Sequence, residues 1–249
     1  MLPDLTALRR RLQLGPIDHR TAGAEAAVLH RAVTVPAPAT RRSTSSVGLL
    51  TEADTLTSFD TVAAAARFAG TLHAATGVAV EIDSRTLGIR HRHEMHFVRV
   101  APSEQDAVLA ALGTGWHAAR AAVAAAPVGG IATEVRTGPA TAAAIWRALL
   151  LTTAPVRNTA DLRLRIRDTE LLALAVRSAQ VLGVPTQARA TGTLGVLSVS
   201  ATDGVYRLLD RLVPRLPATR RPVGSRPAGT TRPARAVAAA GPRRPMPVR

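Results

Sequence analysis

The pattern of apolar and polar positions is clearest over residues 161–183, where it predicts a strand followed by a helix. The strand positions alternate in character and are Leu162, Arg163, Leu164, Arg165, Ile166 and Arg167. Because successive side chains of a strand point to opposite faces, one face is predicted to be apolar and the other to carry three guanidinium groups. Asp168 is the predicted N-cap of the helix, and Gly183 is its predicted end.

The same reading along the chain predicts a mixture of helices and short strands. Helices are predicted over residues 4–14, 22–32, 61–77 with Asp60 as the cap, 103–112, 116–126, 140–152 and 202–213. Strands are predicted over residues 78–82, 95–100, 186–190 and 194–200, the last two forming a hairpin. The glycines of Gly113-Thr-Gly115 are interpreted as a helix stop. The predicted class is therefore α+β, with a mainly antiparallel sheet.

An internal repeat organises these elements. Residues 97–112 and 196–211 each fit one template, in which a strand leads through a short capped turn into a helix. We therefore predict two unequal copies of one α/β unit, at 60–137 and 138–216. Residues 1–34 are predicted to form N-terminal helices, 35–59 a linker, and 217–249 a disordered tail rich in Arg and Pro.

Composition adds a preferred partner. The chain has 249 residues, a net charge of +15 and no cysteine, so disulfides and thiolate metal sites are excluded. The tail from residue 217 holds eight arginines and no acid, which leaves 24 arginines against 17 acids in residues 1–216. A basic body favours a polyanion, with nucleic acid first and an anionic membrane surface second. Without a long apolar run or a signal pattern, we expect a cytoplasmic protein.

Several of these segments resemble a known family. Arg67-Phe-Ala-Gly, the strand residues near Val98, and Trp146-Arg147 followed by strand, helix, hairpin and helix are similar to WhiA, over roughly residues 60–214. WhiA proteins are bacterial regulators of sporulation and cell division, built on a degenerate LAGLIDADG homing-endonuclease fold. The resemblance implies paired central helices at 61–75 and 140–152 and a sheet that forms a saddle for duplex DNA.

The resemblance also carries expectations about activity. The metal-binding acids of active LAGLIDADG nucleases would fall near Thr71 and Thr153, and neither residue is acidic, so a non-catalytic protein is expected. Relative to the family, the first copy is expected to lack a helix and a strand between Asp83 and Met95. Family members end in a helix-turn-helix domain, which the proline-rich residues after Leu216 do not fit.

The predicted DNA-binding residues lie on strands and in the tail. They are Arg163, Arg165, Arg167, Gln187, Arg189, Arg99, Arg220, Arg221, Arg243 and Arg244. Arginines on a sheet face can contact phosphates and read guanine edges. The strand arginines can alternatively be interpreted as an ordinary solvated face of the sheet. The tail can alternatively be interpreted as a flexible solubilising segment.

No catalytic residue, cofactor or metal ligand set is predicted. His91-Arg-His-Glu-Met-His96 lacks the spacing of a zinc-binding helix, and a basic loop or strand edge is the preferred interpretation. The function predicted first is a non-catalytic, WhiA-like DNA-binding regulatory protein without a membrane partner. The alternatives are a homodimerising interaction domain, whose alanine-rich helices meet between subunits, and a residual phosphoester hydrolase.

Overall fold

The computed structural model describes residues 5–34, 54–88, 92–128, 137–153, 162–191, 194–199 and 202–212. The helices in these ranges are α1 Leu5–Leu14, α2 His19–Thr34, α3 Val62–Thr76, α4 Gln105–Ala125, α5 Thr137–Thr152, α6 Thr169–Val181 and α7 Thr202–Leu212. The strands are β1 Thr55–Phe59, β2 Glu81–Leu87, β3 His93–Arg99, β4 Leu162–Ile166, β5 Thr186–Thr191 and β6 Leu194–Val199. The predicted tail and most of the predicted linker lie outside the described residues.

Two three-stranded antiparallel sheets repeat the same strand order. The first is ordered β1-β3-β2 and the second β4-β6-β5. Each sheet belongs to a series of helix, strand, helix, two strands and helix, which runs from α2 to α4 and again from α5 to α7. The predicted α+β class and the two-copy architecture are confirmed.

The copies begin at a different point from the one expected. The first starts at α2 and includes β1, so it draws on residues assigned to the N-terminal helices and the linker. The expected gap between Asp83 and Met95 is therefore wrong, because the helix and strand thought to be missing lie upstream. The strand β1 escaped prediction because its sequence, Thr-Leu-Thr-Ser-Phe, is short and mostly polar.

The central helix pair is α2 and α5. The expected central helix at 140–152 is therefore confirmed as α5, whereas α2 takes the place expected for residues 61–75. The two helices pack along their length, whereas α3 meets α5 only locally. Both bury small residues, among them Ala26 in α2 and Ala144 in α5, so their backbones approach closely. Alanine gives a weak apolar stripe, which is why α2 looked peripheral. These alanine-rich faces of α2 and α5 therefore pack against each other within the chain.

Helix α4 is longer than expected. It runs unbroken through Gly113-Thr-Gly115, where a stop was predicted. A Cβ added at Gly115 would lie 2.4 Å from the carbonyl oxygen of Gly23 in α2, whereas one added at Gly113 would meet nothing within 4 Å. Gly115 therefore permits a close helix contact, and neither glycine ends the helix.

Some of the other predicted boundaries are confirmed and others are displaced. Asp168 is the N-cap of α6, accepting hydrogen bonds from the backbone N–H groups of Glu170 and Leu171, as expected. The β5–β6 hairpin is confirmed. The strand expected at 78–82 lies instead at Glu81–Leu87, an edge strand with little apolar alternation. Helix α3 is capped by Thr61 rather than Asp60.

Candidate nucleic-acid interface

The outer face of the β4-β6-β5 sheet collects four of the predicted DNA-binding residues. Arg163, Ser198 and Gln187 form one cross-strand row, and Arg165, Val196 and Arg189 form the next. Residues paired directly across strands point to the same face of a sheet. The arginines that alternate along β4 therefore lie on a polar face of the sheet, to which β5 adds Arg189 and Gln187.

The opposite face of this sheet is buried against α6. Leu164 and Leu197 are paired across strands and completely buried, and Leu171 of α6 belongs to the same core. Gly195 lies against α6, where a Cβ would be 2.5 Å from a Leu172 methyl carbon. With its inner face anchored in this way, the sheet is a firm support for the arginines of its outer face.

The outer face carries arginines on strands without acidic residues. The three strands of the sheet contain no acidic residue. Arg165, Arg167 and Arg189 are exposed, and within the described ranges none of them forms an ion pair. Arg163 is half-buried and makes a contact of its own. An anion approaching Arg165 and Arg189 would therefore meet exposed guanidinium groups on strands that carry no acidic side chain.

Arg99, the sixth strand residue predicted to bind DNA, lies in a different environment. It projects from β3 of the other sheet, and its guanidinium lies 3.3 Å from an Asp83 carboxylate oxygen and 3.8 Å from one of Asp54. Asp83 also accepts a 2.7 Å hydrogen bond from Arg85. The structure thus separates Arg99 from the group on the second sheet. The predicted tail residues Arg220, Arg221, Arg243 and Arg244 lie outside the described residues.

A cavity of about 500 Å³ lies where the two sheets face the C-terminal ends of α2 and α5. Its lining comes from both copies: Ser58, Phe59 and Met95 from the first sheet, and Arg165, Ile166 and Leu194 from the second. Arg167, which follows β4, also reaches this cavity. The outer arginine face therefore continues into a partly basic cleft at the junction of the two copies.

Two further arginines that line the cavity, Arg9 and Arg31, form hydrogen bonds within the protein. Arg9 of α1 donates hydrogen bonds of 3.1 Å to the Leu150 carbonyl and 2.7 Å to the Thr153 carbonyl, satisfying the end of α5. Burial lowers the pKa of Arg9 from its ordinary value. Arg31 of α2 donates to the Asp168 carboxylate and, at 2.6 Å, to that of Glu170.

The Arg31 and Asp168 contact couples the two copies electrostatically. Burial by itself would raise the pKa of Asp168, but hydrogen bonds from Arg31 and from the backbone of Leu171 outweigh it, so the pKa is lowered. The pKa of Arg31 is correspondingly raised: its burial acts to lower it, and the two carboxylates prevail. Both groups are therefore held in their charged forms at the edge of the cleft.

The ends of the central helices show what chemistry this cleft contains. Helix α2 ends at Thr34 and α5 at Thr152, followed by Thr153. Thr153 lies at the helix end as expected, but Thr71 does not: it is buried within α3 and donates to the Arg67 carbonyl. Among the described residues, no cluster of three His, Cys, Asp or Glu side chains could hold a metal ion. His96, the last histidine of the segment 91–96, is buried and lies 2.7 Å from the Ser84 hydroxyl.

One buried cluster was missed by sequence reasoning. Glu25 of α2 accepts hydrogen bonds from Arg67 of α3, at 2.7 Å, and from Arg147 of α5, at 3.1 Å. Both arginines belong to the segments that carried the family resemblance, and both are buried in the core of the protein. A lone acid in the alanine-rich helix α2 was the available signal, but its partners are distant in sequence.

A repeated helix and strand unit, with paired central helices and two antiparallel sheets, defines the LAGLIDADG class of folds. No protein-family model and no curated protein sequence matches the chain. Solved structures do match, and the fold resembles that of WhiA. Full-length WhiA from Thermatoga maritima is 13% identical with a TM-score of 0.51, over 84% of this chain and 61% of that one.

The match is more complete for one part of WhiA. Its N-terminal LAGLIDADG domain is 11% identical with a TM-score of 0.50, over 84% of this chain and 91% of that one. A variant of I-DmoI in complex with its target DNA gives a TM-score of 0.43 at 11% identity, covering 78% of this chain and 95% of that one. The described part of this chain therefore has a WhiA-like LAGLIDADG fold, and the chain spans 61% of the length of full-length WhiA.

None of the helices in the described ranges combines the length and apolar character needed to cross a bilayer.

Proposed function

We propose that the chain is a non-catalytic DNA-binding protein whose contact surface is the outer face of the β4-β6-β5 sheet. The observation that carries the proposal is the pair of cross-strand rows, which brings Arg165 and Arg189 onto one exposed face without an acidic residue in the sheet. Phosphate contacts by arginine provide most of the sequence-independent affinity of proteins for DNA. Likeness in fold to WhiA supports the same proposal.

The spacing of these residues suits a duplex. Two strand separations place the Cα atoms of Arg165 and Arg189 about 10 Å apart, which compares with a major groove about 12 Å wide. Arg163 and Arg165 are two residues apart on one strand, or about 7 Å, which is about two base-pair steps along a strand of DNA. The guanidinium groups can therefore follow the phosphates that border a groove.

The test compares two charge-matched variants of the full chain. Arg165→Gln combined with Arg189→Gln removes two predicted phosphate contacts. Arg10→Gln combined with Arg207→Gln removes the same charge from exposed positions on α1 and α7. Binding of a mixed-sequence duplex is measured by fluorescence anisotropy over a series of salt concentrations. Because both variants keep the tail, its contribution is the same in each.

The sheet pair is expected to weaken binding roughly tenfold at about 0.1 M salt and to reduce the salt slope by about two. The control pair, whose side chains lie outside the sheet, is expected to change neither quantity by as much. Equal losses for the two pairs would show that overall charge drives binding, and the proposal would then be abandoned.

We extend the proposal to a role in transcription linked to sporulation or cell division, in the cytoplasm. The support is the likeness in fold to WhiA together with the resemblance of the segments around Arg67 and Trp146. Deleting the gene in its host should change septum placement or spore yield, together with the transcripts that accompany them. Normal septation, sporulation and transcript levels in the deletion strain would contradict this role.

The non-catalytic part of the proposal has its own test. Helix α2 ends at Thr34, and α5 ends at Thr152 followed by Thr153, so no carboxylate stands at these helix ends, where the family resemblance would place the metal-binding acids of an active nuclease. Supercoiled plasmid incubated with the protein and Mg²⁺ or Mn²⁺ is therefore expected to remain intact. Metal-dependent nicking that co-purifies with the protein would overturn this expectation.

A further inference from the structure

The two sheets share a topology but differ in the charge of their outer faces. In the second sheet, Val196 of β6 is flanked by Arg165 on β4 and Arg189 on β5. In the first sheet, Phe97 holds the matching position on β3 and is flanked by Ser58 on β1 and Asp83 on β2. Asp83 therefore occupies the place in the first copy that Arg189 occupies in the second.

The next row shows the same reversal. Arg99 of β3 matches Ser198 of β6, and the neighbours of Arg99 are Thr55 and Glu81. The neighbours of Ser198 are Arg163 and Gln187. Two matched rows thus place an acid in the first copy where the second copy has arginine or glutamine. The difference follows the sheet position by position, so it is more than a difference in total charge.

The two arginines on the strands of the first sheet, Arg85 and Arg99, make contacts within that sheet. Asp83 lies between Arg85 and Arg99, at 2.7 Å and 3.3 Å. The Arg85 guanidinium also lies over the Phe97 ring, 5.5 Å from its centroid, and Arg99 lies 3.8 Å from Asp54. A DNA phosphate would have to compete with Asp83 for both guanidinium groups, and it would be repelled by the acids nearby.

We propose that the chain holds duplex DNA on one side only. The β4-β6-β5 sheet contacts the phosphates, and Asp83 excludes the outer face of the β1-β3-β2 sheet from the contact. This inference rests on the proposed DNA-binding function. A strand of five residues spans about 17 Å, or about five base pairs of a duplex, so the contact covers about half a helical turn.

The first experiment removes the arginines of each sheet in turn in the full chain. Arg165→Gln with Arg189→Gln is compared with Arg85→Gln with Arg99→Gln, and the salt slope of duplex binding is the readout. The one-sided contact predicts a slope reduced by about two for the first pair and unchanged for the second. Thermal unfolding of each variant checks that the fold is retained, since Arg85 and Arg99 also make contacts within the sheet.

The second experiment attempts to open the first sheet. Asp83→Asn keeps the shape of the side chain but removes the charge that holds Arg85 and Arg99. On a duplex of about two helical turns, or about 21 base pairs, the salt slope should steepen by about one. On a duplex of about 8 base pairs, shorter than one turn, the slope should stay that of the wild-type chain. The tail contributes equally to variant and wild type, so it cancels in each comparison.

The outcomes separate this inference from the proposed function. If both arginine pairs reduce the slope equally, DNA binding stands and the one-sided contact is wrong. If Asp83→Asn leaves the slope unchanged on the longer duplex, the assigned role of Asp83 is wrong. If neither arginine pair changes the slope while the protein still binds DNA, both the one-sided contact and the proposed sheet surface are refuted together.

Discussion

Replacing Glu25 by glutamine is expected to destabilise the protein strongly, although Glu25 is buried and is not part of the proposed DNA surface. The carboxylate is only 1% exposed, as is Arg67, and Arg147 is 8% exposed. The two guanidinium groups reach it from α3 and α5, so the three residues join helices of both copies. Glutamine has nearly the same shape but cannot neutralise two buried positive charges.

The size of the effect follows from this burial. Removing one partner of a buried ion pair leaves an uncompensated charge and costs about 3 to 5 kcal/mol. Domains of this kind have a free energy of unfolding of about 5 to 15 kcal/mol, so the loss is a large fraction of the total. At about 2 to 4 °C for each kcal/mol, the midpoint of thermal unfolding should fall by roughly 6 to 20 °C.

The assay is urea and thermal unfolding followed by circular dichroism, with Glu170→Gln as the matched control. Glu170 also contacts two arginines, Arg31 at 2.6 Å and Arg120 at 3.8 Å, but it is 51% exposed. Exposed pairs contribute about 0 to 1 kcal/mol, so this control should change stability little. A destabilisation by Glu25→Gln no greater than that of the control would refute the reasoning.

A third variant checks the physical cause. Replacing Glu25, Arg67 and Arg147 together by methionine removes every charge of the cluster while keeping much of its volume. Because buried ionic groups can be exchanged for apolar ones at little cost, this variant is expected to be more stable than Glu25→Gln. If it is less stable, the hydrogen bonds of Arg67 to the Gly15 and Pro16 carbonyls matter more than the charge balance.

Two further predictions concern helix packing and acid stability. Gly113→Ala should stabilise α4 by about 0.5 to 1 kcal/mol, through helix propensity at an open position. Gly115→Ala should destabilise the protein instead, because the new Cβ would meet the Gly23 backbone at 2.4 Å; equal effects of the two changes in urea unfolding would contradict the assigned contact. The lowered pKa of Asp168 gives stability that is present above the unfolded pKa and is lost as pH falls through the folded pKa. Asp168→Asn, which can still cap α6, should therefore lose less stability than the wild-type chain between about pH 5 and about pH 2, and an unchanged pH profile would count against the Arg31 contact.

The repeat was predicted only in part from the sequence. The match of 97–112 with 196–211 identified the halves of the repeat that have strong strand and cap signals, and the structure has them as β3 with α4 and as β6 with α7. The start of each copy was harder to place. Helix α2 is rich in alanine and β1 is short and polar, so neither gave a clear periodic signal, and α3 was assigned the central position that α2 holds.

The candidate site divides in a similar way. Alternation within β4 was enough to predict that Arg163 and Arg165 share a face, and parity within β5 did the same for Gln187 and Arg189. Arg99 looked equivalent because it also lies on a strand. Its engagement with Asp83 depends on the pairing of β2 with β3, and the register of those strands was not predicted because β2 was displaced by three residues at its start.

What the sequence determined by itself was local: the alternating strand of residues 162–166, the Asp168 cap, the β5–β6 hairpin and the existence of a repeat. These features arise from the geometry of neighbouring residues, which the order of amino acids specifies directly. Only the tertiary structure decided which helices form the central pair, that Glu25 joins Arg67 to Arg147, and that Asp83 holds the arginines of the first sheet. Those outcomes depend on residues distant along the chain, and they follow from the strand register and close helix packing that bring such residues together.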